Sequence, residues 1–285
     1  MKVVKASKDS IKEASLILKR GGVVVFPTET VYGLGASAFS DKGVEKIFQI
    51  KRRPRNNPLI VHILSFDAIE EIAKLSLRQK EIVNALKIFT PGPLTVVVPS
   101  RGRVSKLINA GQEGIACRVP SHPAALKLIE EAGALAAPSA NLSGRASPVR
   151  VEDLSEEIVR EADLVLDGGR CKGGIESTVL SLLDDVPKIL RQGLITKKDL
   201  EEVLSCKVSL DKGVEEKEES VLSPGRIGRH YAPLTPIKIL PADTSRDALN
   251  LLLKEFSEDS KIALLTFKPP LKALDTNSRI KAVFI

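Results

Sequence analysis

Residues 21–35 read GGVVVFPTETVYGLG, and the fold is decided here. Upstream, from Ile11 to Arg20, apolar residues recur at helical spacing until Gly21 and Gly22 stop the pattern. The β-branched run Val23 to Val25 then predicts a buried strand. Helix, glycine turn and buried strand in that order are the opening of an α/β layer. Past the strand, Pro27 to Gly35 concentrates hydroxyl groups around Pro and Gly bends, where side chains can turn toward a cleft. Thr28, Glu29, Thr30 and Tyr32 could equally well only stabilise the turn through local hydrogen bonds.

Outward from this unit the alternation continues. Helices are predicted at Asp41 to Ile50, with Asp41 as cap, at Leu75 to Phe89, Pro123 to Ala132 and Val151 to Arg160. Strands are predicted at Leu59 to Ile63, Leu94 to Val98, Ile115 to Val119, Ala134 to Ala137, Leu164 to Leu166, Ser177 to Leu182 and Lys188 to Arg191. Adjacent strand runs near the end imply hairpins, so the expectation is an α/β domain with an open, twisted, mixed sheet over residues 1–205. Residues 206–235 form a linker, whose stretch 211–220, DKGVEEKEES, has almost no apolar groups. From residue 236 to 285, Ile237 to Leu240, Ala248 to Phe256 and Ile262 to Phe267 suggest strand, helix, strand, a small Rossmann-like second domain.

Composition excludes several classes. The chain has 285 residues, 43% hydrophobic, enough for a large core. No apolar run approaches the roughly 18 residues of a membrane span, and the N-terminus lacks an apolar signal core, so a cytoplasmic protein with no membrane partner is expected. Three scattered cysteines and three histidines far apart in sequence fit neither a disulfide framework nor a zinc site, and no protein-held metal is expected. A formal charge of +7 favours anionic partners.

Four further motifs share the chemistry of the first: KRRPRNNPLIVH from Lys51, PSANLSG from Pro138, GGIESTV from Gly173 and SPGRIGRHYAP from Ser223. Lys51, Arg52, Arg53 and Arg55 put four cations within five residues between a predicted helix and a strand. Guanidinium groups bind phosphate oxygens bidentately, so this is a natural triphosphate clamp, although an exposed basic loop has the same composition. Asn57–Pro58 adds a rigid turn with an amide donor beside the charges. Arg118, in the strand IACRV, requires an anion if buried, and a substrate carboxylate would satisfy it. Ser139 and Asn141 share one turn, and Gly173–Gly174 can expose backbone N–H groups to an anion or simply form a hairpin. GLGASA at Gly33 to Ala38 matches a dinucleotide fingerprint, but Pro27 breaks the strand too early and the position about 20 residues on is basic. No P-loop is present.

Together the five motifs resemble the YrdC-like threonylcarbamoyl-AMP synthases, in the long form that carries a linker and a second domain. The resemblance implies a YrdC-like fold and a nucleotidyltransferase that joins threonine, bicarbonate and ATP, with Mg²⁺ carried in on the ATP. It assigns Lys51 and Arg53 to catalysis. Thr30, His62, Arg118, Ala137 and Ser177 fall on threonine-binding positions. Arg53, Asn57, Gly114, Ser139, Asn141, Ser147, Arg191 and Tyr231 fall on nucleotide-binding positions, Gly114 where the family often has a hydroxyl residue. Glu176 is a candidate contact for the Mg²⁺. The linker segment around Tyr231 is implied to fold over the site, and a downstream tRNA-modifying transferase complex is the implied consumer of the product. A tRNA or double-stranded RNA binding module is the alternative that the +7 charge and the Lys51 to Arg55 cluster suggest, and weak tRNA contact is a further partnership they allow. A carbamoyl-transfer domain of the hydrogenase-maturation type is a further reading, without the cysteine pairs expected beside it.

Overall fold

The computed structural model describes residues 3–211 and two strands nearer the C-terminus, Ile262–Thr266 and Ile280–Phe284. The chain divides into two units, Met1–Leu234 and Thr235–Ile285. In the first, the order is β1 (Val3–Lys5), α1 (Lys8–Lys19), β2 (Val24–Phe26), β3 (Gly33–Ser37), α2 (Asp41–Lys51), β4 (Ile60–His62), α3 (Leu77–Ala85), β5 (Leu94–Pro99) and β6 (Gly114–Arg118). It continues with α4 (Pro123–Ala132), β7 (Leu135–Ala136), α5 (Glu156–Glu161), β8 (Leu164–Asp167), β9 (Thr178–Ser181), β10 (Lys188–Arg191), α6 (Lys197–Leu204) and β11 (Ser209–Leu210).

The strands form one open sheet in the order β1-β8-β2-β3-β7-β4-β6-β5-β9-β10-β11. It is mixed: β2 pairs parallel with β8 and antiparallel with β3, and β6 pairs parallel with β4 and antiparallel with β5. Helices cover both faces. Val24 and Phe26 pack with Ile11, Ala14 and Leu18 of α1 and Ala125, Leu128 and Ile129 of α4. Val25 faces the other way, toward Leu34 and toward Val44, Ile47 and Phe48 of α2. Burial on both sides is why β2 reads as an unbroken apolar run instead of an alternating one.

Helix starts follow side-chain capping. Ser7 Oγ accepts from Ser10 N at 3.3 Å to begin α1, and Ser40 Oγ accepts from Gly43 N at 3.1 Å to begin α2, so the expected cap at Asp41 lies one residue late. A left-handed Arg52, φ 50°, ends α2 and turns the chain back so that Arg53 faces the sheet's loop end. The predicted helix 75–89 divides into α3 and a 3-10 turn, Leu86–Phe89. The predicted helix 151–160 divides into a 3-10 turn, Val151–Asp153, and α5, because Ser155 starts a new helix by capping Ile158 N.

Four elements had no strong local signal: β1, β3, α6 and β11. The GLGAS of the fingerprint-like stretch is β3 itself. A Cβ at Gly35 would stand 2.6 Å from Cε1 of Phe26, so the glycine there serves packing against β2. β11 carries the sheet past residue 205, since Ser209 N and Asp211 N donate to the carbonyls of Pro187 and Ile189. In the second unit, β12 (Ile262–Thr266) and β13 (Ile280–Phe284) pair in parallel, so the strand expected at Ile262 is present. The predicted elements Ile237 to Leu240 and Ala248 to Phe256, and residues 212–220 of the charged stretch, lie outside the described residues.

Candidate active site

Chain segments leaving the middle of the sheet converge on one cleft. The loop after β2 contributes Thr28 and Thr30, the ends of β4 and β6 contribute His62 and Arg118, and the turn after β7 contributes Ala137, Ser139 and Asn141. Lys51, Arg53, Glu176 and Arg191 complete the wall. His62 and Arg118 are side by side because β4 and β6 run parallel with these two residues in register. Parallel strands present their C-terminal ends at one edge, where ligands bind in open α/β sheets.

At one end Arg118 is 4% exposed. The anion that stabilises it belongs to the protein: Nη2 donates to Glu29 Oε1 at 2.6 Å and to Thr30 Oγ1 at 2.9 Å, and Nε faces the Gly92 carbonyl at 3.4 Å. Glu29 Oε2 accepts from Ser121 N at 2.9 Å. Thr30 is held in turn by Thr28, the two hydroxyls lying 2.8 Å apart. The anion that a buried Arg118 requires is thus supplied within the protein, and Nη1 is the nitrogen left to face a substrate. Next to it, burial and then the Arg118 charge push the His62 pKa down to about 3, so the imidazole is neutral. Its Nδ1 has no hydrogen-bond partner. Ser177 sits behind the wall, fully buried, sharing a 2.7 Å hydrogen bond with Thr95 Oγ1 and accepting from Arg191 Nη2 at 3.1 Å.

At the other end Lys51 is 1% exposed and its Nζ donates to the Ser139 carbonyl at 2.5 Å, to the Asn141 carbonyl and to Asn141 Oδ1 at 3.5 Å. Burial first, then the Arg53 charge, hold its pKa well below the usual lysine value, with Glu176 acting the other way. Arg53 Nη2 donates to Asn57 Oδ1 at 2.5 Å and to the Pro58 carbonyl at 2.7 Å. Asn57, 1% exposed, keeps a buried Nδ2 without a partner. Asn57 does not itself line the cleft, and unsatisfied buried donors of this kind are uncommon in folded proteins. Ser147 does not line the cleft but donates to Glu176 Oε1, which does.

Gly114 is not brought to the cleft. It begins β6, at the opposite end of the strand from Arg118, where a Cβ would stand 3.0 Å from Leu183 and Val97 side chains. Of the two readings of Gly173–Gly174 the structural one holds: both N–H groups donate within the protein, to the carbonyls of Glu29 at 2.7 Å and Thr30 at 3.0 Å. Tyr231 and the rest of its motif lie outside the described residues. Sequence reasoning placed Glu29 in a turn that could face a cleft but did not pair it with Arg118, and it gave Thr95 no role. The signal for Glu29 was an acid in a hydroxyl-rich turn together with a lone Arg in an apolar strand; Thr95 sits in a Val-rich strand and carried none. Among the described residues no group of three or more metal-ligating side chains occurs, and no helix is long and apolar enough to cross a membrane.

Comparison with known proteins decides the family. The Sua5/YciO/YrdC family, described as telomere recombination, matches residues 16–193. The chain belongs to this family. The C-terminal domain of threonylcarbamoyl-AMP synthase matches residues 195–283. The threonylcarbamoyl-AMP synthase of Bacillus subtilis is 40% identical over 259 residues, covering 90% of this chain and 73% of that protein. The enzyme of the same name from Pyrococcus abyssi is 38% identical over 255 residues, covering 88% and 74%. The crystal structure of P. abyssi Sua5 complexed with L-threonine matches with a TM-score of 0.84 at 33% identity, covering 99% of this chain and 82% of that one. The open mixed sheet is thus the fold of the Sua5/YciO/YrdC family, as the motifs led us to expect.

Proposed function

We infer that this chain is a cytoplasmic threonylcarbamoyl-AMP synthase, a nucleotidyltransferase that joins L-threonine, bicarbonate and ATP for threonylcarbamoyladenosine modification of tRNA. The observation that carries the reading is the clustering of Lys51, Arg53, Arg118 and Arg191 on one cleft wall beside a neutral His62 and the acid Glu176. Such a wall suits several anions at once and offers no covalent nucleophile with an adjacent base.

In this reading Arg118 Nη1 takes the threonine carboxylate, and the unpartnered Nδ1 of His62, with Thr30 and Ala137, shapes the pocket for the rest of the amino acid, Ser177 bracing the wall from behind. The neutral imidazole adds no positive charge beside the amine that must act as nucleophile. That amine captures carbon dioxide from bicarbonate to give a carbamate, its lost proton and the bicarbonate hydroxide leaving as water, and a carbamate oxygen attacks the α-phosphorus. The bond to the β-phosphate oxygen breaks and pyrophosphate leaves. Arg53 and Arg191 neutralise phosphate charge, and Asn57 holds Arg53 in place at the same end. Lys51 and the Ser139–Asn141 turn hold the wall in shape, and Ser147 orients Glu176. A Mg²⁺ bound to the ATP phosphates would add charge neutralisation, with Glu176 as the acid that fits it; one carboxylate suits an ion held mainly by phosphate and water.

The test is pyrophosphate release from ATP with threonine and bicarbonate each added or omitted. Release is expected only when both are present. Equal release without threonine would overturn the reading.

A further inference from the structure

We propose that Glu29 sets the anion selectivity of the amino-acid end of the cleft: by neutralising Arg118 it lets that end take a single carboxylate and turn away more highly charged anions. The inference rests on the reading of Arg118 as the threonine carboxylate's partner. A synthase of this kind must sort three anionic substrates within one small cleft. Guanidinium groups bind carboxylate and phosphate alike, so a wall of cations cannot by itself keep a polyphosphate out of the amino-acid pocket.

Arg118 has a built-in counter-charge. Its Nη2 lies 2.6 Å from Glu29 Oε1, and the two side chains are 5% and 14% exposed, so the pair is poorly screened by solvent. The second hydrogen on Nη2 goes to Thr30 Oγ1 at 2.9 Å, which leaves Nη1 as the donor for a ligand. Glu29 cannot swing aside to admit a larger charge. Its other oxygen accepts from Ser121 N at 2.9 Å, and its own carbonyl accepts from Gly173 N at 2.7 Å. Arg118 and Ser121 thus hold the carboxylate, and Gly173 holds the Glu29 backbone, beside the guanidinium that any anion at Nη1 must meet. A monocarboxylate can meet the remaining donors at modest repulsion, and a dianion meets about twice that repulsion. This is selectivity by a repulsive element as well as an attractive one.

The experiment measures threonine binding to the full chain by titration calorimetry against sodium sulfate, with ionic strength held constant by sodium chloride. In the parent chain, sulfate should leave threonine bound at concentrations that displace ATP. In Glu29→Gln, sulfate should compete with threonine, its inhibition constant falling at least ~10-fold, and in Glu29→Asp, which keeps the charge, it should stay near the parent value. Sulfate displacing threonine from the parent chain would overturn the proposal, and this arm decides it even if Glu29→Gln does not fold. So would a folded Glu29→Gln with parental sulfate sensitivity. Arg118→Ala separates this from the underlying assignment: unchanged threonine affinity there removes Arg118 from the threonine site, whereas lost affinity together with an unaltered Glu29→Gln removes only the role of Glu29.

Discussion

At the residue scale, the cost of burial decides what Lys51 and His62 do. A buried ammonium needs an acceptor for each N–H, and Lys51 finds three on the turn that holds Ser139 and Asn141. Its backbone carbonyl also accepts from Ser143 N at 3.0 Å, so the helix end and the turn are stitched twice. Asn141 is likewise engaged inside the protein: Oδ1 takes the Ser139 hydroxyl at 2.5 Å, and Nδ2 donates to the carbonyls of Leu142 and Arg145. Lys51 and Asn141 therefore shape the nucleotide end as positioning residues. His62 is buried neutral, its pKa near 3 against an ordinary value of 6.5. Between those two values the unfolded chain binds a proton that the folded chain does not, so stability is full above pH 6.5 and falls as pH drops, by about 1.4 kcal/mol per pH unit for one proton. Chemical unfolding of His62→Gln and the parent from pH 7 to 4 should show the gap between them narrowing with acid; a constant gap would mean that His62 titrates normally in the fold.

At the element scale, the placement of α2 matters most, because Lys51 is its last residue and Arg53 follows its left-handed end. Gly43 lies in its first turn, where alanine would ordinarily gain roughly 0.5–1 kcal/mol of helix stability. A Cβ there would stand 2.9 Å from the Ala36 Cβ on β3, a contact that no rotamer change can relieve. Overpacking of this kind costs about 1–3 kcal/mol and should win. Gly43→Ala is therefore expected to lower the unfolding free energy and to raise the KM for ATP, as α2 lifts and carries Lys51 and Arg53 with it. Thermal melts and initial-rate kinetics check both halves, and a stabilised variant would show that α2 can shift without strain.

For the whole molecule, the sheet runs past residue 205, where the first domain was expected to end. Val208 is 1% exposed and packs in the main core, and β11 pairs with β10 beyond it. Burial of one such side chain is worth about 1.5–3 kcal/mol. A chain ending after Asp211 should thus melt higher than one ending after Ser205, and should still bind threonine, since every described residue assigned to that pocket precedes it. Equal melting temperatures would make β11 an ornament of the sheet edge.

Local chemistry determined much of this protein before folding was considered. The glycine stop, the apolar run at Val23 to Val25 and the cation-rich Lys51 to Arg55 announce themselves over a few residues, because helix spacing, strand burial and charge are local properties. The α4 boundaries, Pro123 and Ala132, were legible for the same reason, a proline at the first helical position and Gly133 just past the end. Tertiary structure alone decided the rest. β3 is glycine-rich and forms because β2 and β7 flank it, and β1 and β11 are two or three residues long and exist only as partners of β8 and β10. The same holds at the site: Arg118 and Glu29 are 89 positions apart, and their pairing appears only when the parallel register of β4 and β6 brings the end of β6 against the turn after β2. Which charges meet depends on long-range strand order, and no short stretch of sequence contains it.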